Sequence, residues 1–161
     1  MVELVFKLIV ILIISYLIGS IPTGYIVVKL LKNVDIRTVG SGSTGATNVK
    51  RVLGTKWFYI VMILDALKGF LPVYLVIHNF NFESYYTNSG DYYNLRGLSP
   101  VITALSVIIG HSKSVFLGFT GGKSVAAGVG TILALSLPVG LITAVIWGIL
   151  TFVTKYVSLG S

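Results

Sequence analysis

The chain has 161 residues, 55% hydrophobic and 11% charged, with a formal net charge of +7 and no cysteine. So little polar surface excludes an ordinary soluble domain, and the missing cysteines exclude a disulfide framework and a thiolate metal site. The two histidines, His78 and His111, have no ligand-like neighbours, so neither metal nor other cofactor is expected. The positive balance fits basic residues held on one side of a bilayer better than nucleic-acid binding.

A membrane span needs about 20 largely apolar residues. The first is predicted from Val5 to Leu31, interrupted at Gly19-Ser20-Ile21-Pro22-Thr23-Gly24, where Pro22 removes a donor and kinks the helix. A weakly charged lead and the lack of a clean cleavage site argue for a retained span and against a signal peptide. The polar connection Lys32 to Lys56 follows, and the second span is predicted from Trp57 to Ile77. Within it Asp65 and Lys68 are three residues apart and can meet on one helix face. Charges at that depth are costly, so they form either a structural ion pair or a substrate contact. The segment from Asn79 to Gly97 is polar and rich in Tyr and Phe, as in an exposed loop with interfacial aromatics. A third, short span is predicted from Leu98 to Ile109, a fourth from Lys123 to Pro138, and a fifth from Val139 to Val153 after a tight turn at Pro138 and Gly140. The chain is therefore expected to be an all-α polytopic membrane protein of about five transmembrane helices, forming one domain over 1–161. By the positive-inside tendency the first and third connections are cytoplasmic and the N-terminus is outside.

Three polar patches fall on that one side, which also holds the end of the fifth span. In Val39 to Arg51, Gly40, Gly42 and Gly45 permit close backbone approach. Ser41, Ser43, Thr44 and Thr47 supply hydroxyls, Asn48 an amide, and Lys50 and Arg51 positive charge. That set suits a phosphate, although a plain polar loop between helices has a similar composition. In the second patch, Gly121-Gly122-Lys123-Ser124 precedes an apolar helix, as at the end of a phosphate-binding loop. Counting back from Lys123, the first glycine of the nucleotide-binding signature falls on Leu117, so the run points to anion binding and not to ATP hydrolysis. Its alternative is a turn followed by a cap from Ser124. His111 either caps a helix or faces the site, and no carboxylate near it in sequence could orient it. In the following helix Ser124, Gly128, Thr131 and Leu135 share a side, with Ala126, Ala127 and Gly130 nearby, a face suited to close packing. A third patch, Tyr156 to Ser161, ends the chain.

These motifs together resemble the bacterial acyl-phosphate:glycerol-3-phosphate acyltransferases, the PlsY family. The resemblance rests on Gly19-Ser20-Ile21-Pro22, Gly40-Ser41-Gly42, Gly45-Ala46-Thr47-Asn48 with Arg51, Leu64-Asp65 with Lys68-Gly69, Gly110-His111, Phe119 with Gly121-Gly122-Lys123, and Tyr156 with Ser158. It implies an inner-membrane enzyme that moves an acyl group from acyl phosphate to glycerol 3-phosphate, giving lysophosphatidic acid. Ser41, Thr47, Asn48 and Arg51 would belong to the active site. The loop ending in Gly121, Gly122 and Lys123 would bind a substrate phosphate, and Ser158 and Ser161 would line the same pocket. Ser43, Thr120 and Ser124 depart from the family's usual Asn, Lys and Gly. The resemblance also implies two further spans and a C-terminal motif beyond this chain, so a C-terminally incomplete enzyme is expected. The rival readings are a transporter of a phosphorylated solute and a non-catalytic membrane subunit.

Overall fold

The structure, a computed structural model, describes residues 2–80, 85–86, 92–93 and 95–154. Ser158, Ser161 and the rest of the third patch lie outside them. The described residues are nearly all helical. The first apolar stretch is two helices, α1 (Val2–Ser20) and α2 (Thr23–Lys32). The break falls at the predicted Ile21–Pro22, because Pro22 has no N–H to continue the ladder. Asn33 ends α2 in the left-handed conformation with its N–H on Lys29 O, a conformation that Asn tolerates.

The first polar connection is more ordered than a loop. A 3-10 turn (Ile36–Thr38) and the helix α3 (Ala46–Leu53) lie within it. Ala46, Val49 and Leu53 recur at helical spacing and give α3 an apolar underside. Val28 of α2, Ile36 of the turn, Val49 of α3 and Val61 of the next helix are fully buried together, with Tyr25, Val52 and Trp57 packed around them. Each such burial stabilises by about 1.5–3 kcal/mol, so the glycine-rich segment rests on a firm apolar seat. Beside it, the Arg37 guanidinium bonds Asp35 at 2.7 Å and holds its carboxyl down at about 2. Arg37 also stacks over Tyr25, 5.4 Å from the ring centroid.

The long helix α4 (Thr55–Asn79) follows. Tyr85–Tyr86 (β1) then pairs antiparallel with Tyr92–Tyr93 (β2). Next come α5 (Leu95–Ser112), α6 (Val125–Leu135) and α7 (Leu137–Thr154). The tight turn expected at Pro138 and Gly140 is absent. Ser136 alone separates α6 from α7, and Pro138 sits in the first turn of α7, where a missing N–H costs nothing. Glu3–Lys32 and Thr55–Asn79 are long and apolar enough to cross a bilayer, whereas Val125–Leu135 is a shorter apolar helix. At ~1.5 Å per residue α6 is roughly 16 Å long, about half the hydrocarbon thickness.

Packing follows the glycines. Helix α1 runs along α5, and α4 along α6 with α7 on its far side. A Cβ on Gly19 would meet the Val107 backbone, and one on Gly110 the Tyr16 backbone. Gly69 meets the Ala127 backbone in the same way, and Gly130 that of Ala66. Both seams thus bring main chain against main chain, as small residues do in lipid. The close face of α6 is Ala127, Gly130 and Thr131, all buried. Gly128, expected on that face, has nothing within 4 Å of a built Cβ. Accordingly, Gly130→Val should cost about 1–3 kcal/mol through overpacking, while Gly128→Ala, in open space within the helix, should stabilise by up to about 1 kcal/mol. Thermal melting in detergent checks the contrast, and equal melting of the two variants would refute the backbone seam.

Candidate functional site

Asn48 organises the first patch. It lies in the first turn of α3, is 1% exposed, and uses its whole amide. Its Nδ2 donates to Val39 O and Ser43 O, both at 3.0 Å, and to Ile36 O at 3.2 Å, while Oδ1 accepts from Ser41 N at 3.0 Å. The chain can wrap this closely because Gly40 and Gly42 have φ of 61° and 70°. A Cβ on Gly40 would strike Asn48 Oδ1. Gly45, which has no side chain to cap with, starts α3 from extended backbone, and its own N–H donates to Ser43 Oγ at 3.3 Å.

The second patch is pinned beneath α5. Ser114 exchanges backbone contact with Thr120, and its hydroxyl donates to Ser20 O at 2.6 Å. Gly122 N donates to His111 O at 3.1 Å. Ser124 does not cap α6 as its position before an apolar run suggests. It sits at φ 61° with no side-chain cap bond, and its hydroxyl donates to Ile108 O at 3.0 Å. A left-handed non-glycine residue costs about 1–2 kcal/mol. That strain relates to the glycine usual at this place in the resembling family, and strain of this kind gathers at functional sites. Ser124 therefore offers no side-chain cap to the N–H groups that open α6.

Between the two patches lies a cavity of about 420 Å³. Its polar lining comes from Ser41, Thr47, Arg51, Lys123 and Ser124, together with Asp65 and His111. The uncapped starts of α3 (Gly45, Ala46) and α6 (Val125, Ala126) open onto it too. Helix N-termini attract anions through exposed N–H groups and the macrodipole. Here two of them, with an Arg and a Lys, face one space. Apolar side chains line the same cavity: Phe58, Met62 and Ile63 of α4, Val129 of α6 and Trp147 of α7.

Asn48, Ser43 and Gly45 also line the cavity, so most of the residues singled out in sequence meet there. Gly42, Gly121, Gly122 and Lys68 are not among the lining residues. Gly42 makes the turn, and Gly121 and Gly122 lie against His111. Lys68 turns away, its Nζ bonding Asp65 at 2.9 Å and Ile21 O at 2.7 Å. The expected absence of a carboxylate for His111 is corrected, because His111 Nδ1 stands 3.9 Å from Asp65 Oδ1. A separation of 46 positions hid that pair. The apolar wall was missed as well, although Phe58, Met62 and Ala66 recur every fourth residue. Among the described residues no His, Asp or Glu cluster could hold a metal ion.

The sequence pattern of the family described as glycerol-3-phosphate acyltransferase matches residues 9–161. This chain belongs to that family. The acyltransferase chain is 47% identical over 154 residues to the glycerol-3-phosphate acyltransferase of Trichormus variabilis, covering 94% of this chain and 68% of the relative. To glycerol-3-phosphate acyltransferase 2 of Thermotoga maritima it is 43% identical, covering 92% and 69%. Among solved structures it resembles PlsY (YgiH), an integral membrane glycerol 3-phosphate acyltransferase, in its glycerol 3-phosphate form. That match has a TM-score of 0.82 at 38% identity and covers 96% of this chain and 70% of the other. The lysophosphatidic acid form gives 0.79 at 37%. The acyltransferase is thus a helical membrane protein, and it spans roughly two thirds of the length of these relatives.

Proposed function

We propose that this membrane acyltransferase transfers a fatty acyl group from acyl phosphate to glycerol 3-phosphate in the cavity between α3 and α6, releasing lysophosphatidic acid and inorganic phosphate. One observation carries the assignment of the site: two helix N-termini not capped by their own N-cap side chains, plus Arg51 and Lys123, line one cavity that apolar side chains also line. The polar lining suits the phosphates of both substrates, and the apolar lining suits an acyl chain. The relatives' shared name, and the glycerol 3-phosphate and lysophosphatidic acid forms of the PlsY structures, support the acceptor and product.

An acyl phosphate is already activated, so no covalent enzyme intermediate is required. The C1 hydroxyl oxygen of glycerol 3-phosphate attacks the acyl carbonyl carbon, the bond from that carbon to the phosphate oxygen breaks, and the departing phosphate takes the hydroxyl proton. The protein holds two anions together and orients the hydroxyl. Arg51, Lys123 and the N–H groups of the two helix starts steady the phosphates and the developing oxyanion, while Ser41 and Thr47 offer hydroxyls to substrate oxygens. Basic residues crowd this end of the molecule, from Lys29 and Lys32 to Lys56. We therefore place the cavity on the cytoplasmic side of the bacterial inner membrane and the N-terminus outside, with α5 and α7 as further spans.

The test supplies membranes containing this chain with acyl phosphate and labelled glycerol 3-phosphate. Lysophosphatidic acid should form, and Arg51→Ala should lower the rate about 10- to 150-fold, the worth of one charge-assisted bond. Product made equally well by Arg51→Ala would remove Arg51 from the site. A labelled acyl group trapped on Ser41 would replace direct transfer with a covalent route.

A further inference from the structure

Asp65 is far from any phosphate-binding position in sequence, and an acidic group is out of place in an anion site. It is nevertheless 2% exposed and lines the cavity. Its Oδ1 accepts from the Thr23 hydroxyl at 2.8 Å and pairs with Lys68 at 2.9 Å. Thr23 and Lys68 in turn hold the broken first span, since Lys68 Nζ also reaches Ile21 O. The carboxylate is therefore fixed and its charge balanced. Beside it stands His111, whose buried Nδ1 is 3.9 Å from the same Oδ1, too far for a hydrogen bond, and has no hydrogen-bond partner among the described residues.

His111 is also what the second loop rests on. Gly122 N donates to its carbonyl. A Cβ on Gly121 would strike that carbonyl, and one on Gly122 would strike the imidazole at Nε2. The ring thus lies wedged between Asp65 and the loop that leads into Lys123 and the start of α6. A rotation of the ring toward Asp65 would move the surface on which Gly122 sits.

We infer that Asp65 and His111 are positioning residues for the glycerol 3-phosphate loop, with Asp65 fixing the His111 ring and the ring fixing the Gly121–Ser124 backbone. This rests on the functional reading above and deepens it. Neither residue need touch the phosphate. The buried Nδ1 facing the carboxylate without a hydrogen bond is the observation that calls for an explanation beyond packing.

The test measures binding of glycerol 3-phosphate by titration calorimetry, and steady-state kinetics, in Asp65→Asn, in His111→Phe and in the double variant. His111→Phe keeps a ring against Gly122 but removes the polar Nδ1 that faces Asp65, and melting curves establish that each protein is folded. The KM and the dissociation constant for glycerol 3-phosphate should rise roughly three- to tenfold, the worth of about one hydrogen bond from a displaced loop to the phosphate. The KM for the acyl donor and kcat should stay within about twofold. Because the two residues act in series, the double variant should match the single ones and not their product. A fall in kcat with an unchanged KM would overturn the inference and make His111 a group in contact with the reacting atoms. Unchanged constants, multiplicative effects, or equal rises for both substrates would overturn it as well. If the unaltered protein binds no glycerol 3-phosphate, the functional reading itself fails.

Discussion

Asn48→Asp should cost this enzyme at least about a hundredfold in rate, without touching the charge of Arg51 or Lys123. The substitution is isosteric, so packing is unchanged. What changes is the direction of the hydrogen bonds. The two N–H groups of Asn48 serve three carbonyl oxygens, at Ile36, Val39 and Ser43. A carboxylate there would face those oxygens with no proton to offer, at a site 1% exposed to solvent. Val39 O and Ile36 O keep the N–H groups of Gly42 and Val39, so Ser43 O loses most, at about 1–3 kcal/mol. A buried carboxylate facing all three oxygens adds a repulsion that the segment relieves by opening. Opening carries Ser41 and Ser43 away from the cavity, and a displacement of about 1 Å can lower a rate ~10²-fold. Limited trypsin digestion gives the direct measurement. Cleavage at Arg37, and between Lys50 and Val52, should be faster in the variant and should keep step with the lost activity. A variant that loses activity while resisting trypsin like the unaltered protein would show Asn48 acting on the substrate itself.

How much of this could be read in the residues differs by level. The helices were legible because long apolar runs can do little else in a bilayer, and the break at Pro22 because its ring cannot donate. The Asp65–Lys68 pair was legible from a spacing of three on a helix. Helix α3 carried a signal, Ala46, Val49 and Leu53 at helical spacing, that the surrounding glycines and hydroxyls obscured. Asn48 is the instructive case. Its sequence surroundings suggested a ligand group, whereas its amide is spent inside the protein. Nothing in composition separates an amide that faces a substrate from one that faces its own backbone. The inward turn depends on the positive φ of Gly40 and Gly42, three-dimensional facts with many sequence equivalents. Similarly, Ser124 stands where a cap is expected, but the close approach of Gly121 and Gly122 to His111 forces the chain into α6 with the wrong φ for capping. In both loops the departure from the local rule leaves the helix start without a cap from its own N-cap side chain, as suits an anion site, which is why the failures of local reading fall at the proposed site.

Lys68→Met should be the most destabilising single change in the membrane-embedded part of the molecule. Asp65 is ten residues into α4, about 15 Å from its start, and Lys68 is 8% exposed. Removing the ammonium leaves a buried carboxylate with the Thr23 hydroxyl and no counter-charge, at an expected cost of about 3–5 kcal/mol. Ile21 O keeps the N–H of Thr23, at 3.0 Å, so the break in the first span is weakened but not stranded. This separates the charge effect from the loss of a carbonyl partner. The double change Asp65→Leu with Lys68→Met removes both charges and fills similar volume, and replacing a buried pair in this way is often near neutral. Melting of the single and double variants in detergent closes the cycle. Recovery of the lost stability in the double variant would show that the pair stabilises chiefly by mutual neutralisation. The double variant should then be stable yet still weak in binding glycerol 3-phosphate, because His111 has lost the carboxylate beside it. A double variant as unstable as Lys68→Met would instead place the stability in the contacts of Lys68 with Ile21 and Thr23. Stability and substrate affinity would then have separate origins in one side-chain cluster, the first resting on charge balance and the second on the orientation of one ring.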